Sequence, residues 1–344
     1  MIISVQFLRA IAALFVVISH ISLKGLQYNI NSFQWFHIGG SGVDLFFIIS
    51  GFIMCYTTHN RNVSFTKFIF ARCKRILPLY WLVTLLALVV YIVAPSLVNS
   101  SGGETSIFAS FTLIPNGDKY LVQNGWTLSY EFLFYLIFGI SLIFKNIYLV
   151  ICSCVITILV SFGFILRNEV TELSPFLNFL TDSILLEFIF GIFCFVLYKK
   201  TSLSYIHSLV LICLGSFLMF YQNEHGFLET SFGRTIHSGV PMVLVFLGTI
   251  GFESLLRNYN NNFISRLGVL LGDASYSIYL THPFVLSPVA IIGKHFGLLT
   301  SPLLFSTVLL FSSCVVGIFV YLFIERPLHT YIKDRFRLNK TASV

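Results

Sequence analysis

The chain has 344 residues, of which 56% are hydrophobic and only 10% charged, and its mean hydropathy is +0.87. A soluble domain carries about 25% charged residues, so the composition excludes one and describes a polytopic membrane protein. The formal charge of +7 reflects membrane sidedness, because basic residues gather in inner loops, and is no sign of nucleic-acid binding.

Apolar runs near the roughly twenty residues that a span needs fall at 4–23, 41–58, 77–95, 126–144, 146–166, 182–198, 203–221, 236–252, 268–291 and 302–324. They predict an all-α polytopic membrane protein of about ten transmembrane helices. The segment 105–115 reads as a re-entrant or interfacial piece. The chain forms one transmembrane domain, 1–344, with its core at about 4–330 and a short basic tail at 331–344. If the N-terminus lies inside, the inner loops and tail hold fifteen Lys and Arg, among them Arg61, Lys67, Lys145, Lys199, Lys200 and Arg326, while the outer loops hold five: Lys24, Lys119, Arg167, Arg234 and Lys294. That imbalance places both termini in the cytoplasm. Arg9 interrupts the first apolar run and no small-residue cleavage site follows His20, so the run is a retained helix and no signal peptide. The seven cysteines lack metal-ligand spacing and read as small apolar residues; no metal is expected.

The first span, RAIAALFVVISH, sets Arg9 eleven positions before His20, about three turns of helix, on one face and roughly 16 Å apart. Ionisable residues inside a span are costly enough to be functional hypotheses by default. Span two, GGSGVDLFFIISGFIM, brings Asp44 near the outer surface and Ser50-Gly51 near mid-membrane; the small pair serves equally well for close helix packing. In FTKFIFARCKRILPLYW, which the apolar runs place in an inner loop, Arg72 and Arg75 sit three residues apart, one turn if the segment is helical. Such a basic stretch is commonly a topology signal or an anionic-lipid contact; together with Arg9 it can hold a phosphate-bearing donor, which guanidinium groups bind bidentately.

The ordered set RAIAALFVVISH, GVDLFFIISGFIM, FARCKRILPLYW, NGWTLSYEFLFY and GDASYSIYLTHPF resembles the membrane acyltransferase family 3, in particular exopolysaccharide and O-antigen O-acetylases. The resemblance runs from about residue 4 to 330. It implies ten helices and acyl transfer to extracytoplasmic sugars, with the family's arginine and histidine on Arg9 and His20, its FFxxSGF pattern on Phe46, Phe47, Ser50, Gly51 and Phe52, and its paired arginines on Arg72 and Arg75. No fused esterase-like domain follows the last span, a departure from longer members. The donor it implies is acetyl-CoA, a cosubstrate made in the cytoplasm. The expected acceptor is a polysaccharide or lipid-linked glycan at the outer face of a bacterial inner membrane, with lipids as neighbours.

These readings combine into a site. Arg72, Arg75 and Arg9, with Ser50 and Gly51 beside them, are expected to bind the donor. His20 is expected to act as general base, oriented by Asp44 or Glu131, and an acyl-histidine route stays open. His282, which precedes Pro283, either marks a kink or lines the acceptor path with Trp126 and Ser129. Asp182, Glu187 and Asp273 are expected to pair with neighbours, and Glu325-Arg326-Pro327 to end a helix. The rival reading is a proton-coupled secondary transporter, which buried His, Asp and Glu also suit, but the two related halves common in transporters are not visible.

Overall fold

The computed structural model describes residues 2–98, 102–170, 172–226, 230, 232–259 and 262–341. Positions 342–344 of the predicted tail lie outside the described residues. Among those described, helices are the only regular structure apart from one isolated β-bridge between Thr105 and Lys119. The principal helices are α1 (Ile3–Gln27), α2 (Ser41–Thr58), α3 (Phe65–Val93), α4 (Gly125–Ser141), α5 (Tyr148–Glu169), α6 (Leu186–Lys200), α7 (Tyr205–His225), α8 (Val240–Gly251), α9 (Phe263–Asp273), α10 (Ser275–His295), α11 (Pro302–Val320) and α12 (Arg326–Thr341). Among the described residues, eight helical stretches are long and apolar enough to cross a membrane. One of them, 125–169, is two helices, α4 and α5, broken where Lys145 adopts φ 41° and ψ −99°. A shorter apolar helix, Thr235–Gly251, is added to these. The protein is an all-α polytopic membrane protein.

Local chemistry sets the helix ends. Ser204 and Ser301 cap α7 and α11 by accepting from the backbone N–H groups of His207 and Leu304, and Pro302 follows in the first turn of α11, where a missing N–H costs nothing. No side chain of its own caps α1. Glu253 does so from across the molecule, accepting from Ile3 N at 3.1 Å, Ser4 N at 2.8 Å and Ser4 Oγ at 2.8 Å, and holding Arg257 at 2.7 Å. Burial pushes the Glu253 carboxyl up, but the Ser4 N–H, the Arg257 guanidinium, the Ser4 hydroxyl and the Ile3 N–H outweigh it and hold the group below its ordinary value.

Helix α1 stands between two hydrophobic clusters. Val5, Leu8, Ala12 and Val16 pack with residues of α2, α3, α4, α6 and α8. Ala13, Val17 and Ile21 pack with Ile278, Leu286, Phe305 and Leu309 of α10 and α11. The two faces of one helix thus join both halves of the core, and its polar residues emerge at the seams. Helices α2 and α6 cross where Gly51 meets Gly191: a Cβ on Gly191 would lie 2.8 Å from the Gly51 Cα and still nearer the Ile48 carbonyl. Small residues at such crossings let helix backbones approach.

Three boundaries differ from the sequence reading. Helix α3 begins at Phe65 rather than 77, so the basic stretch with Arg72 and Arg75 is its first turns and not a loop. The run at 268–291 is broken at Ala274 between α9 and α10. The segment 105–115 contains only a short helix, Ile107–Thr112, tied to α3 by the Tyr80 hydroxyl donating to Ser110 O at 2.6 Å and Trp81 Nε1 donating to Phe111 O at 3.1 Å.

Candidate active site

Arg9 of α1, Ser50 of α2, Arg72 and Arg75 of α3, and Glu131 and Tyr135 of α4 line one cavity of about 200 Å³. Glu131 and Tyr135 are one turn apart on α4 and hydrogen-bond each other; the Ser50 hydroxyl donates to Glu131 at 3.2 Å. Arg9 donates to Gln6 Oε1 at 3.3 Å. Among the described residues the buried Nε of Arg72 has no hydrogen-bond partner. Three guanidinium groups share the cavity wall with one carboxylate, Glu131, and Glu325 and Asp273 lie within electrostatic reach of Arg9 and Arg75. Guanidinium groups lining a cavity favour phosphate or carboxylate, which they bind bidentately.

His20 opens elsewhere. It lies on the wall of a second cavity of about 1020 Å³, with Lys24, Gln27, Gln123, Thr281 and Ser287 as the polar groups among mainly apolar neighbours such as Leu23, Leu86 and Phe284. Arg9 and His20 thus share α1, as the spacing predicts, but face different cavities. Tyr279 belongs to the wall of the arginine cavity, and its ring lies 6.2 Å from that of His282, so the two chambers are neighbours across this wall.

His282 is the residue in contact with His20. The His282 Nε2 and His20 Nδ1 atoms are 2.8 Å apart, and the His282 Nδ1 lies 3.0 Å from the Ile278 carbonyl. Pro283 has no N–H to offer the carbonyl of Tyr279 one turn earlier. Asn124 takes that carbonyl instead, through Nδ2 at 2.5 Å, and the hydroxyls of Thr127 and Tyr279 are 2.9 Å apart. The His-Pro pair is thus a helix interruption whose freed carbonyl is met by a neighbour, and it also delivers a side chain to His20.

Several expected placements are corrected. Asp44 is fully buried and receives a two-pronged ion pair from Arg234, Nε at 3.0 Å and Nη2 at 2.9 Å, so it is committed to the N-terminal end of α2 and does not orient His20. Glu131 faces the arginine cavity and does not touch His20 either, because its position on α4 turns it towards Ser50 and Tyr135. Gly51 is absent from the cavity wall because it is spent on the α2–α6 crossing. The Arg234 guanidinium stands 5.7 Å over the Trp126 ring, and Ser129 is buried against the Tyr120 hydroxyl at 2.9 Å. Neither borders either cavity. Asp182 does pair, accepting from the Tyr130 hydroxyl at 2.8 Å, and the fully buried Glu187 carboxyl lies beside Asp44 and within the field of Arg234. Sequence reasoning missed Arg234, which reads as an ordinary loop charge, and Asn124, whose only signal is a proline 159 positions away.

A buried cationic chamber and a histidine-lined chamber on neighbouring helices define a membrane enzyme, and the profile of the family described as "Acyltransferase domain" matches residues 2–322. The chain belongs to this family, family 3 of the membrane acyltransferases. It is 34% identical over 307 residues to the exopolysaccharide production protein ExoZ of Rhizobium meliloti (strain 1021), covering 85% of this chain and 90% of that protein. No solved structure matches it. The protein is a membrane acyltransferase.

Proposed function

We propose that the protein transfers an acetyl group from cytoplasmic acetyl-CoA to a sugar hydroxyl of an extracytoplasmic exopolysaccharide, as a free polymer or a lipid-linked glycan. Both termini lie in the cytoplasm of a bacterial inner membrane. The observation that carries the reading is the arginine chamber: Arg9, Arg72 and Arg75 on one wall, and a buried Arg72 Nε that has no hydrogen-bond partner among the described residues. Phosphates of the nucleotide meet the guanidinium groups there. Arg9 lies six residues into α1, and Arg72 and Arg75 lie in the first turns of α3; with the N-terminus inside, both helices begin at the cytoplasmic face. The donor's extended arm then carries its thioester to His20, past the wall that Tyr279 helps to form.

In the transfer step, the acceptor oxygen bonds to the thioester carbonyl carbon while its proton passes to His20. Collapse of the tetrahedral intermediate breaks the C–S bond, and the departing thiolate takes the proton. General-base assistance of this kind contributes about 10²–10⁴-fold. The similarity to an exopolysaccharide production protein supports a polysaccharide acceptor.

The test is a titration of detergent-purified protein with acetyl-CoA and with pantetheine acetylated on sulfur, which lacks the nucleotide. Acetyl-CoA is expected to bind saturably, Arg72→Gln to weaken it about 10–100-fold as the loss of one charged hydrogen-bonding group implies, and the truncated thioester to bind poorly to both. Equal binding by wild type and Arg72→Gln would remove the arginine chamber as the donor site. No binding of acetyl-CoA at all would move the transporter reading ahead.

A further inference from the structure

His282 is fully buried, and both of its ring nitrogens have a partner. The Ile278 carbonyl, 3.0 Å from Nδ1, can only accept, so Nδ1 carries a hydrogen. Among the described residues no carboxylate hydrogen-bonds to His282 or His20, and an imidazolium sealed in such a place would be an uncompensated buried charge. The His282 ring is therefore neutral, and its Nε2 holds a lone pair. Across the 2.8 Å gap the hydrogen must then come from His20 Nδ1. That leaves the lone pair of His20 on Nε2, the nitrogen free to meet a substrate.

Resting on the proposed role of His20 as base, we propose that His282 is a positioning residue that fixes His20 as the Nδ1–H tautomer, so that Nε2 is the base. An isolated imidazole divides itself between two tautomers and swings about its side-chain bonds. The chain Ile278 carbonyl, His282, His20 removes both freedoms, and it does so with a carbonyl at its end where other catalytic histidines use a carboxylate. When Nε2 takes the hydroxyl proton, the imidazolium keeps its Nδ1–H on the His282 lone pair. No bond to His282 forms or breaks in the transfer. Pro283 and Asn124 set the stage: the helix interruption is closed by Asn124 at the Tyr279 carbonyl, next to the Ile278 carbonyl that His282 uses.

Three substitutions separate positioning from mere packing. The amide oxygen of Gln reaches about where the imidazole Nε2 stands and can accept from His20, so His282→Gln is expected to keep activity within about five-fold. The shorter Asn reaches only the Nδ1 position; His282→Asn preserves the Ile278 contact but offers His20 nothing. His282→Asn and His282→Leu are therefore expected to lose about 100-fold in kcat, the lower end of what general-base catalysis contributes, with the donor KM within about two-fold. An Asn variant as active as wild type, or a Gln variant as poor as Leu, would overturn the proposal. Nitrogen-15 NMR of the full-length, histidine-labelled protein gives a readout independent of turnover, with His20 assigned by its loss in His20→Ala. The expected spectrum has His20 protonated at Nδ1 and bare at Nε2, in wild type and His282→Gln; a protonated Nε2 would overturn the proposal even in an active enzyme. If the protein has no acetyltransferase activity, the function assigned to His20 fails, and the spectrum still decides the tautomer.

Discussion

Gly51→Ala tests whether the small-residue pair in span two is a packing device or part of the donor site. A methyl group here cannot swing away, because the atoms it meets are backbone: the Phe188 carbonyl carbon and the Gly191 Cα, each at 3.1 Å, with the Phe188 carbonyl oxygen closer still. Relief requires α2 and α6 to part by about 1 Å, with loss of contacts among Phe47, Phe188 and Phe134, whose ring centroids lie 4.7 and 4.3 Å apart in sequence. Overpacking of this kind costs about 1–3 kcal/mol. The backbone location puts Gly51→Ala at the upper end, about 2–3 kcal/mol, which at roughly 2 °C per kcal/mol corresponds to roughly 4–6 °C in melting temperature. Gly40→Ala, where a Cβ would meet nothing within 4 Å, is the matched control and is expected to melt like wild type. The assay is thermal unfolding in detergent followed by tryptophan fluorescence, with acetyl-CoA binding measured well below the melt. The folded variant is expected to bind the donor as wild type does. A Gly51→Ala protein that melts normally but binds acetyl-CoA poorly would refute the reasoning and return Gly51 to the donor site.

Two further outcomes follow from the ion pairs. Arg234→Met is expected to destabilise the protein by roughly 2–3 kcal/mol, since it strands the fully buried Asp44, while the Asp44→Asn/Arg234→Met double variant recovers most of that loss; equal melting of the two would show that the pair does not couple. Glu253 has its pKa lowered on folding, so its contribution is complete above the unfolded value and fades as pH falls through the folded one. The melting temperature of wild type is therefore expected to drop from about pH 4.5 downward more steeply than that of Glu253→Gln, which starts lower by about 1–2 kcal/mol for a weakened cap; parallel pH curves would contradict this.

Much of the architecture is written in single segments of the chain. Runs of about twenty apolar residues fix where helices lie, and the eleven-residue step from Arg9 to His20 fixes that they share α1. The helical period also brings Arg72 and Arg75 to one cavity, because α3 starts early enough to include them. What the sequence hides are pairings between distant segments. Asp44 has no local mark that tells Arg234 from His20 as its partner, 190 positions against 24. His282 and His20 are 262 positions apart, and a His-Pro step signals a helix interruption without naming what the imidazole meets. Gly51 carries one signal for two uses, and only the approach of α6 decides between them.

The central claim, acyl transfer with His20 as base, is tested most directly with acetyl-CoA labelled in its acetyl group, purified wild type and His20→Ala, and release of CoA thiol followed with and without an exopolysaccharide acceptor. The account predicts acceptor-stimulated thiol release and labelled polysaccharide from wild type, and a loss of at least about 100-fold in His20→Ala with donor affinity retained. Equal thiol release and equal labelling by the two proteins would contradict it.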